Sequence, residues 1–241
     1  MSKMRKINPN LLKLAHLTYN PNLAEPKLEE KVEEEAIETR EVKEIPGHLY
    51  VPPLKLYVAE ERSLYGKSWY ETHAELHKQG SRMLTLKEFV DFLKYFKENP
   101  DKKNKTILED IVAVRSPVRA EWIDADFKVI KSKLHMHYMH ETVKGMLKSS
   151  LKPKYTEELK DYLSENKTPG IDLDYWIKNA TSLGLPPKSC RTGNMYYWAP
   201  PTDNNSVARF GAYSGGAGLD CCRNPTDSNS ALGVRAVREK I

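Results

Sequence analysis

Three histidines in one short segment are the side chains best suited to bind a transition metal. His135 and His137 lie two residues apart, so in a β-strand they point to the same face and could share a zinc or copper ion. His140 has the opposite parity and could join them only if the strand ended or bulged, and a three-ligand zinc site would need His140 or Glu141. Half-exposed strands also carry imidazoles without a metal. This simpler interpretation is favoured, so no metal and no cofactor are expected, while an ion at His135 and His137 stays an open alternative.

The three cysteines do not form a recognisable redox or metal site. Cys221 and Cys222 are adjacent, so in a strand they point to opposite faces and cannot easily hold one metal together. Three cysteines, with Cys190 far from the other two, cannot build a disulfide framework. No Ser-His-Asp arrangement stands out, and the glycines of 215–218 neither follow a hydrophobic strand nor lead into a helix, as a nucleotide-binding loop would. The sequence therefore predicts a protein that is not an enzyme.

Bulk composition excludes several classes of protein. The chain has 241 residues, a formal net charge of +5 and 39% hydrophobic residues, which is enough for a folded core. No apolar run approaches the roughly 18 residues of a membrane span, so no membrane insertion is expected, and the N-terminus shows no signal peptide. Lysines between 128 and 160 alternate with acidic residues, so no nucleic-acid partner is expected.

Periodic patterns predict the helices of the fold. Residues 69–78 form a short amphipathic pattern. Thr85 and Glu88 form a capping box, in which each side chain satisfies a backbone amide at the start of a helix, and the apolar residues that follow predict a helix over 86–97.

A change to a period of two predicts strands further on. Alternating apolar residues over 123–129 and 134–140, joined at Lys131-Ser132-Lys133, predict a β-hairpin. Residues 141–190 are expected to form a long polar connection with one short helix at 172–183.

The two ends of the chain differ from this body. Residues 1–45 are predicted to be a polar, acidic N-terminal extension, either a solvated arm or a docking arm for a partner. At the other end, Gly, Ser, Asn, Asp and Ala dominate Phe210 to Leu232, and residues there alternate between a framework set and an interrupting set. Burying the small and polar interrupting residues would gain little transfer energy and would desolvate aspartates. An exposed recognition surface, similar in composition to an antibody paratope, is therefore predicted.

Three motifs give this C-terminal segment a specific family resemblance. They are Ser206-Val207-Ala208-Arg209-Phe210, Cys221-x-Arg223-x-Pro225 and Ser230-Ala231-Leu232-Gly233-Val234-Arg235-Ala236-Val237-Arg238. Together they resemble the C-terminus of the variable proteins of diversity-generating retroelements, and are most similar to the archaeal and archaeal-virus branch. In that family an error-prone reverse transcriptase rewrites adenines in the template for this segment. Residues 211–231 contain no Lys, Glu, Gln, Met or Trp, as mutation of adenines in AAY codons would tend to produce.

The resemblance implies a C-type lectin fold that displays the diversified residues on one binding surface. The predicted fold class is α+β, a C-type lectin fold of the formylglycine-generating-enzyme-like variant, with short helices and a twisted antiparallel sheet. This domain is predicted to span 46–241, with the diversified region at about 199–231. The ligand-binding positions predicted from the resemblance are Ala199, Pro201, Asp203, Asn204, Gly211, Tyr213, Gly215, Gly216, Gly218, Asp220, Cys222, Asn224, Thr226, Asp227 and Asn229. The residues assigned to the scaffold are Trp198, Arg209, Leu219, Arg223, Leu232, Gly233 and Arg235.

The function implied by this resemblance is attachment to a protein or glycan ligand on a host or cell surface. The expected location is a virion or a cell surface, with the N-terminal extension as the segment that would contact a virion or surface-anchoring partner. Two alternatives stay open. One is an oxidase of the formylglycine-generating type, whose pair of separated catalytic cysteines the adjacent Cys221 and Cys222 do not reproduce. The other is a structural virion protein that uses the same fold for assembly.

Overall fold

A computed structural model describes residues 44–114, 118–143, 151–202 and 205–239. Within these ranges the chain forms four helices: α1 (Trp69–Lys78), α2 (Leu86–Glu98), α3 (Lys102–Val112) and α4 (Leu173–Asn179). The same ranges contain twelve strands: β1 (His48–Val51), β2 (Leu56–Ala59), β3 (Arg82–Met83), β4 (Arg119–Ile130), β5 (Lys133–Thr142), β6 (Leu151–Glu158), β7 (Lys167–Ile171), β8 (Met195–Trp198), β9 (Ser206–Tyr213), β10 (Gly216–Arg223), β11 (Leu232–Gly233) and β12 (Ala236–Glu239). The fold belongs to the α+β class, as predicted. The predicted extension, 1–45, lies almost entirely outside the described residues and stays a prediction.

The strands build two sheets. The large sheet has the order β6-β5-β4-β9-β10-β8-β7, and β11 adds to it by pairing with β4. Neighbours in the large sheet are antiparallel except for β8 with β10 and β11 with β4. The small sheet has the antiparallel order β1-β2-β12-β3. Because β12 pairs with both β2 and β3, the last described strand is fixed against the first part of the domain.

Capping boxes start the first two helices. The side chains of Ser68 and Glu71 satisfy backbone amides at the start of α1, and Thr85 and Glu88 do the same for α2. The predicted helix over 69–78 is confirmed, and the predicted helix over 86–97 is confirmed with one more residue at its end.

Two apolar clusters form the core, and β4 contributes to both. Ile123, Ala125 and Phe127 belong to the larger cluster, which also holds the aromatic side chains of α2 and α4. Ala120 and Trp122 belong to the smaller cluster, which also holds residues of α1, β11 and β12. Side chains of a strand alternate between the faces of its sheet, so both faces of β4 are covered.

The predicted hairpin is confirmed, and it uses a turn that lacks glycine. Lys131 and Ser132 connect β4 to β5 with φ angles of 49° and 63°. Two consecutive left-handed residues are what the right-handed twist of a two-residue hairpin requires. The strand pairing therefore imposes a conformation that neither residue favours.

The prediction of a long polar connection over 141–190 is wrong. The described part of this segment contains β6, β7 and α4, and α4 is shorter than the helix predicted at 172–183. β6 is an edge strand whose residues are mostly exposed, so its sequence shows no apolar alternation; Pro153 is tolerated there. α3, which Asp101 caps, was not predicted either.

Candidate functional site

The register of three strands places a row of aromatic and charged side chains across the large sheet. Asp220 on β10 is paired with Arg209 on β9 and with Trp198 on β8. Gly218 is paired with Tyr196 on β8. Paired residues, and residues two apart in one strand, share a face of the sheet, so these side chains lie on one side. The alternate residues of the same strands enter the larger core cluster.

A pocket of about 470 Å³ lies on this side of the sheet. It is called the β8–β10 pocket below. Its lining residues are Tyr196, Trp198, Arg209, Tyr213, Ser214, Gly215, Asp220, Cys222 and Arg223. Aromatic rings with a few polar and charged groups are the usual lining of a ligand site.

Aromatic rings form the apolar part of the pocket. The rings of Tyr196 and Trp198 are stacked, with centroids 5.6 Å apart and planes inclined by 12°. The ring of Tyr213 meets Trp198 edge-on, with centroids 6.0 Å apart. A platform of this kind can bind an apolar surface of a ligand, and the tyrosine hydroxyls can bind its polar groups.

Glycines leave the space that these rings occupy. A Cβ atom at Gly218 would lie 2.9 Å from Cζ3 of Trp198, and one at Gly215 would lie 2.6 Å from the hydroxyl oxygen of Tyr196. Both distances are shorter than a normal contact. The shape of the pocket therefore depends on the absence of side chains at predicted variable positions.

Ion pairs form the polar part of the pocket. Asp220 is only 4% exposed, and its Oδ2 accepts from Nε of Arg209 at 3.3 Å. Nε of Arg223 lies 3.6 Å from the same oxygen, while Nη2 of Arg223 donates to Asp227 at 2.7 Å. Two guanidinium groups thus converge on one buried carboxylate at the pocket.

Two titratable side chains beside Asp220, Tyr213 and Cys222, have raised pKa values. Burial raises the pKa of the Tyr213 hydroxyl, with a smaller contribution from the negative charge of Asp220. Burial and the charge of Asp220 raise the pKa of the Cys222 thiol to about 12, and the thiol donates a hydrogen bond to Asp220 at 3.1 Å. Both groups are therefore protonated at neutral pH, and neither is a nucleophile there.

The structure brings four predicted site residues together in the β8–β10 pocket: Tyr213, Gly215, Asp220 and Cys222. The predicted residues of the following segment, Asn224, Thr226, Asp227 and Asn229, lie at or near the surface beyond the end of β10. Pro201 is half-buried, and Asp203 and Asn204 lie outside the described residues. Whether these positions bind a ligand stays a prediction.

The prediction that the interrupting residues form an exposed surface is wrong for four of them: Gly211, Gly216, Gly218 and Asp220. Ala199, predicted separately as a ligand-binding position, is buried too. Neighbouring side chains cover the glycines. A Cβ at Gly211 would lie 3.1 Å from the Tyr213 ring, and one at Gly216 would lie 3.2 Å from the Tyr196 ring. Asp220 is buried because its two arginine partners compensate its desolvation.

Tyr196 was not predicted to belong to the site, and Trp198, Arg209 and Arg223 were predicted to be scaffold, yet all four line the pocket. Tyr196 and Trp198 have the same parity, while Met195 and Tyr197 are buried on the other face. This aromatic alternation was the available signal. The other four residues assigned to the scaffold are buried and do not line the pocket: Leu219, Leu232, Gly233 and Arg235.

The two adjacent cysteines point to opposite sides of β10, as predicted. Cys221 is fully buried in the larger core cluster, and Cys222 is exposed at the pocket. Burial raises the pKa of the Cys221 thiol well above its usual value. The two sulfur atoms therefore do not share one environment.

A larger cavity, of about 840 Å³, lies elsewhere, between α3 and the segment that follows β2. Several of its charged groups pair with one another: Arg62 lies 2.9 Å from Asp110, and Lys103 lies 2.7 Å from Glu60. The β8–β10 pocket is the stronger candidate because it combines an aromatic platform with convergent charges and predicted variable residues.

No helix among the described residues is long and apolar enough to cross a membrane. Comparison with protein-family models, with curated proteins and with solved structures gives no match for this chain.

Proposed function

We propose that this chain is a non-enzymatic ligand-binding protein with a C-type lectin fold, and that the β8–β10 pocket is the centre of its binding surface. The observation that carries the proposal is the pocket lining. Tyr196, Trp198 and Tyr213 present aromatic surface beside the Arg209 and Asp220 pair, on the side of the sheet opposite the larger core cluster. A combination of rigid aromatic surface with charged hydrogen-bonding groups is typical of recognition sites.

The chemistry of the lining favours a polar ligand that has apolar faces, such as a glycan or a protein loop. The stacked rings of Tyr196 and Trp198 can support a sugar face or an apolar side chain. Arg223 can present positive charge to carboxylate or hydroxyl oxygens of a ligand, because its side chain is 34% exposed and lines the pocket.

Diversification of this surface by a retroelement is the second part of the proposal. Predicted variable positions line the pocket, whereas the residues between them on β9 and β10, such as Phe210 and Leu219, are buried in the core. A changed side chain at Gly215 or Gly218 would move the aromatic rings without touching that core. The motif resemblance extends the proposal to attachment at a host or cell surface, from a virion or a cell.

The oxidase alternative is less well supported. A thiol-dependent copper enzyme needs two thiolates that act together. Cys221 is buried on one side of β10, and the pKa of Cys222 is raised on the other. The structural virion alternative predicts that changes in the pocket leave binding unaffected.

Binding of the purified full chain to a glycan array and to cell-envelope fractions tests the pocket. We expect Tyr196→Ala and Trp198→Ala each to weaken binding at least tenfold, since both remove aromatic surface from the pocket. Tyr155→Ala is the matched control, because Tyr155 is a 44% exposed aromatic residue on β6 at the other end of the large sheet. Equal binding by all three variants would contradict the proposal.

The gene locus tests the diversification. We expect a near-copy of the DNA that encodes residues 199–238, with adenines at the differing positions and a reverse-transcriptase gene nearby. A locus without either feature would overturn this part of the proposal and leave the ligand-binding part standing.

A further inference from the structure

A second cluster of polar side chains lies between α1 and the large sheet, away from the β8–β10 pocket. His73 comes from α1, Asp124 from β4 and His140 from β5. All three are buried, and one potential ligand atom from each lies within 4.8 Å of the others. They meet because α1 packs on β5 through the face that carries His73.

A break in the alternation of β5 brings His140 into this cluster. Met139 has a φ of 55°, in the left-handed region that non-glycine residues seldom adopt. His140 therefore lies beside Asp124 on β4, although its parity differs from that of His137, which is paired with Asp126 on the same strand. This is the local irregularity that sequence analysis required for His140 to act as a ligand.

The interatomic distances suit a single ion between the three side chains. Nε2 of His73 lies 3.6 Å from Oδ1 of Asp124, and Nδ1 of His140 lies 2.5 Å from the same oxygen. Ligand atoms of a tetrahedral zinc ion, with bonds of about 2.0–2.2 Å, lie about 3.3 Å apart. The distance between His73 Nε2 and Asp124 Oδ1 already fits. An ion would replace the hydrogen-bonded proton between His140 and Asp124, and their two ligand atoms would move apart by less than about 1 Å.

The ring nitrogens of His73 are available to bind an ion. His73 is fully buried, and neither of its ring nitrogens makes a hydrogen bond within the described ranges. A buried imidazole without partners is costly, and few folded proteins keep one.

The surrounding groups hold the other two side chains in position. Oδ2 of Asp124 accepts a hydrogen bond from the backbone N–H of His140 at 3.0 Å, which leaves Oδ1 to face the two imidazoles. Nε2 of His140 lies 3.9 Å from Asp126, the usual place for a carboxylate behind a metal-bound histidine. The Trp69 ring packs edge-on against both His73 and His140 and shields the cluster.

We propose that His73, Asp124 and His140 bind one divalent transition-metal ion, with zinc the expected ion, and that this ion fastens α1 to β4 and β5. Two imidazoles and one carboxylate are a ligand set that zinc accepts. Burial of all three side chains points to a structural role rather than a catalytic one. The inference replaces the expectation of a metal-free protein, and it is independent of the proposed function of the pocket.

Metal analysis of the untagged full chain tests the proposal. After treatment with a chelator and dialysis, the chain is titrated with zinc sulfate, and bound zinc and the melting temperature are measured. We expect one zinc per chain and a higher melting temperature with zinc. His73→Gln and His140→Asn keep polar side chains of similar size, and we expect both to abolish stoichiometric zinc binding.

His135→Ala is the matched control, because His135 lies on the same strand, bonds only to Lys133 among the described residues and is absent from the cluster. It should bind zinc as the original chain does. Cobalt replaces zinc as a second readout, and a tetrahedral visible spectrum in the original chain but not in His73→Gln would support these ligands even if the variant were less stable. A folded chain that retains no zinc, or zinc binding unchanged in both cluster variants, would overturn the proposal.

Discussion

Two arginine–carboxylate clusters near the C-terminal end of the domain have similar chemistry and different surroundings. In the buried cluster, Arg235 is 1% exposed; its Nε lies 3.2 Å from Glu121 and its Nη2 lies 3.2 Å from Asp110. In the pocket cluster, the side chains of Arg209 and Arg223 are 14% and 34% exposed around Asp220. The first cluster ties β4, α3 and the β11–β12 segment together, whereas the second borders an open pocket.

The difference lies in how completely the fold uses the guanidinium donors. Arg235 also donates to the backbone carbonyls of Ala59 and Glu60, so its hydrogen bonds remain inside the protein. Arg223 donates through Nη2 to Asp227 and leaves 34% of its side chain exposed. Residue type alone therefore does not separate arginines buried in the core from arginines that line the pocket. The two kinds of arginine differ in their burial and in the number of guanidinium N–H groups that donate to protein acceptors.

Breaking the buried cluster should give the largest effect. Arg235→Ala leaves the Glu121 carboxylate, which is 2% exposed, without its arginine partner. Uncompensated buried charges of this kind cost about 3–5 kcal/mol. We expect the free energy of unfolding, measured by urea denaturation, to fall by about that amount. Arg209→Ala should cost much less, and an equal loss in the two variants would contradict the distinction between the clusters.

Adding a methyl group to a glycine in each region should give the next effect. A Cβ at Gly233 would lie 2.9 Å from the backbone oxygen of Ser63, which cannot move freely. A Cβ at Gly218 would meet the Trp198 side chain at 2.9 Å, on the open side of the sheet. Overpacking costs about 1–3 kcal/mol, so we expect Gly233→Ala near the upper value and Gly218→Ala near the lower one in the same urea assay.

Tryptophan fluorescence distinguishes the two glycine variants in a second way. Gly218→Ala should change the emission of Trp198, because its ring must shift, and should alter ligand binding as well. Gly233→Ala should leave binding by the folded fraction unchanged. A larger stability loss for Gly218→Ala than for Gly233→Ala would show that the pocket is as rigid as the scaffold.

Neutralising the pocket carboxylate should have a smaller effect on stability. Asp220→Asn keeps the shape of the side chain but removes the charge that Arg209 and Arg223 share. Both arginines reach water, so we expect a loss of about 1 kcal/mol in the urea assay. Ligand binding should change more than stability. A loss as large as that expected for Arg235→Ala would assign Asp220 to the scaffold instead.

The sequence predicted those parts of the fold that local chemistry determines. The capping box at Thr85 and the amphipathic pattern over 69–78 mark helices where expected, and the alternation around Lys131 indicates the hairpin. β6 could not be predicted, because an exposed edge strand is held by backbone pairing to β5 and needs no apolar pattern.

The candidate site was predicted in part for a similar reason. The predicted variable positions on β9 and β10 were inferred from alternation and from motifs, but the aromatic platform comes from β8, which pairs with β10 only through the tertiary fold. Likewise, His73 joins Asp124 and His140 only because α1 packs on the sheet. Contacts between distant segments leave no periodic signal in one sequence.

The reactivity of Cys222 tests whether the charge of Asp220 raises the pKa of a neighbouring thiol in the pocket cluster. Cys222 as a whole residue is exposed, but its thiol is partly buried. This burial and the charge of Asp220 raise the pKa of the thiol to about 12. Because only the thiolate reacts, iodoacetamide at pH 8 should label Cys222 more than about 100-fold more slowly than an ordinary cysteine. The rate should rise about tenfold per pH unit towards the pKa, since the thiolate fraction rises with pH.

Mass spectrometry of the labelled peptide measures the rate, and the unfolded chain is the control. Asp220→Asn should accelerate labelling because it removes the negative charge beside the sulfur. Rapid labelling at pH 8 that Asp220→Asn does not change would show that Asp220 does not raise the pKa of Cys222.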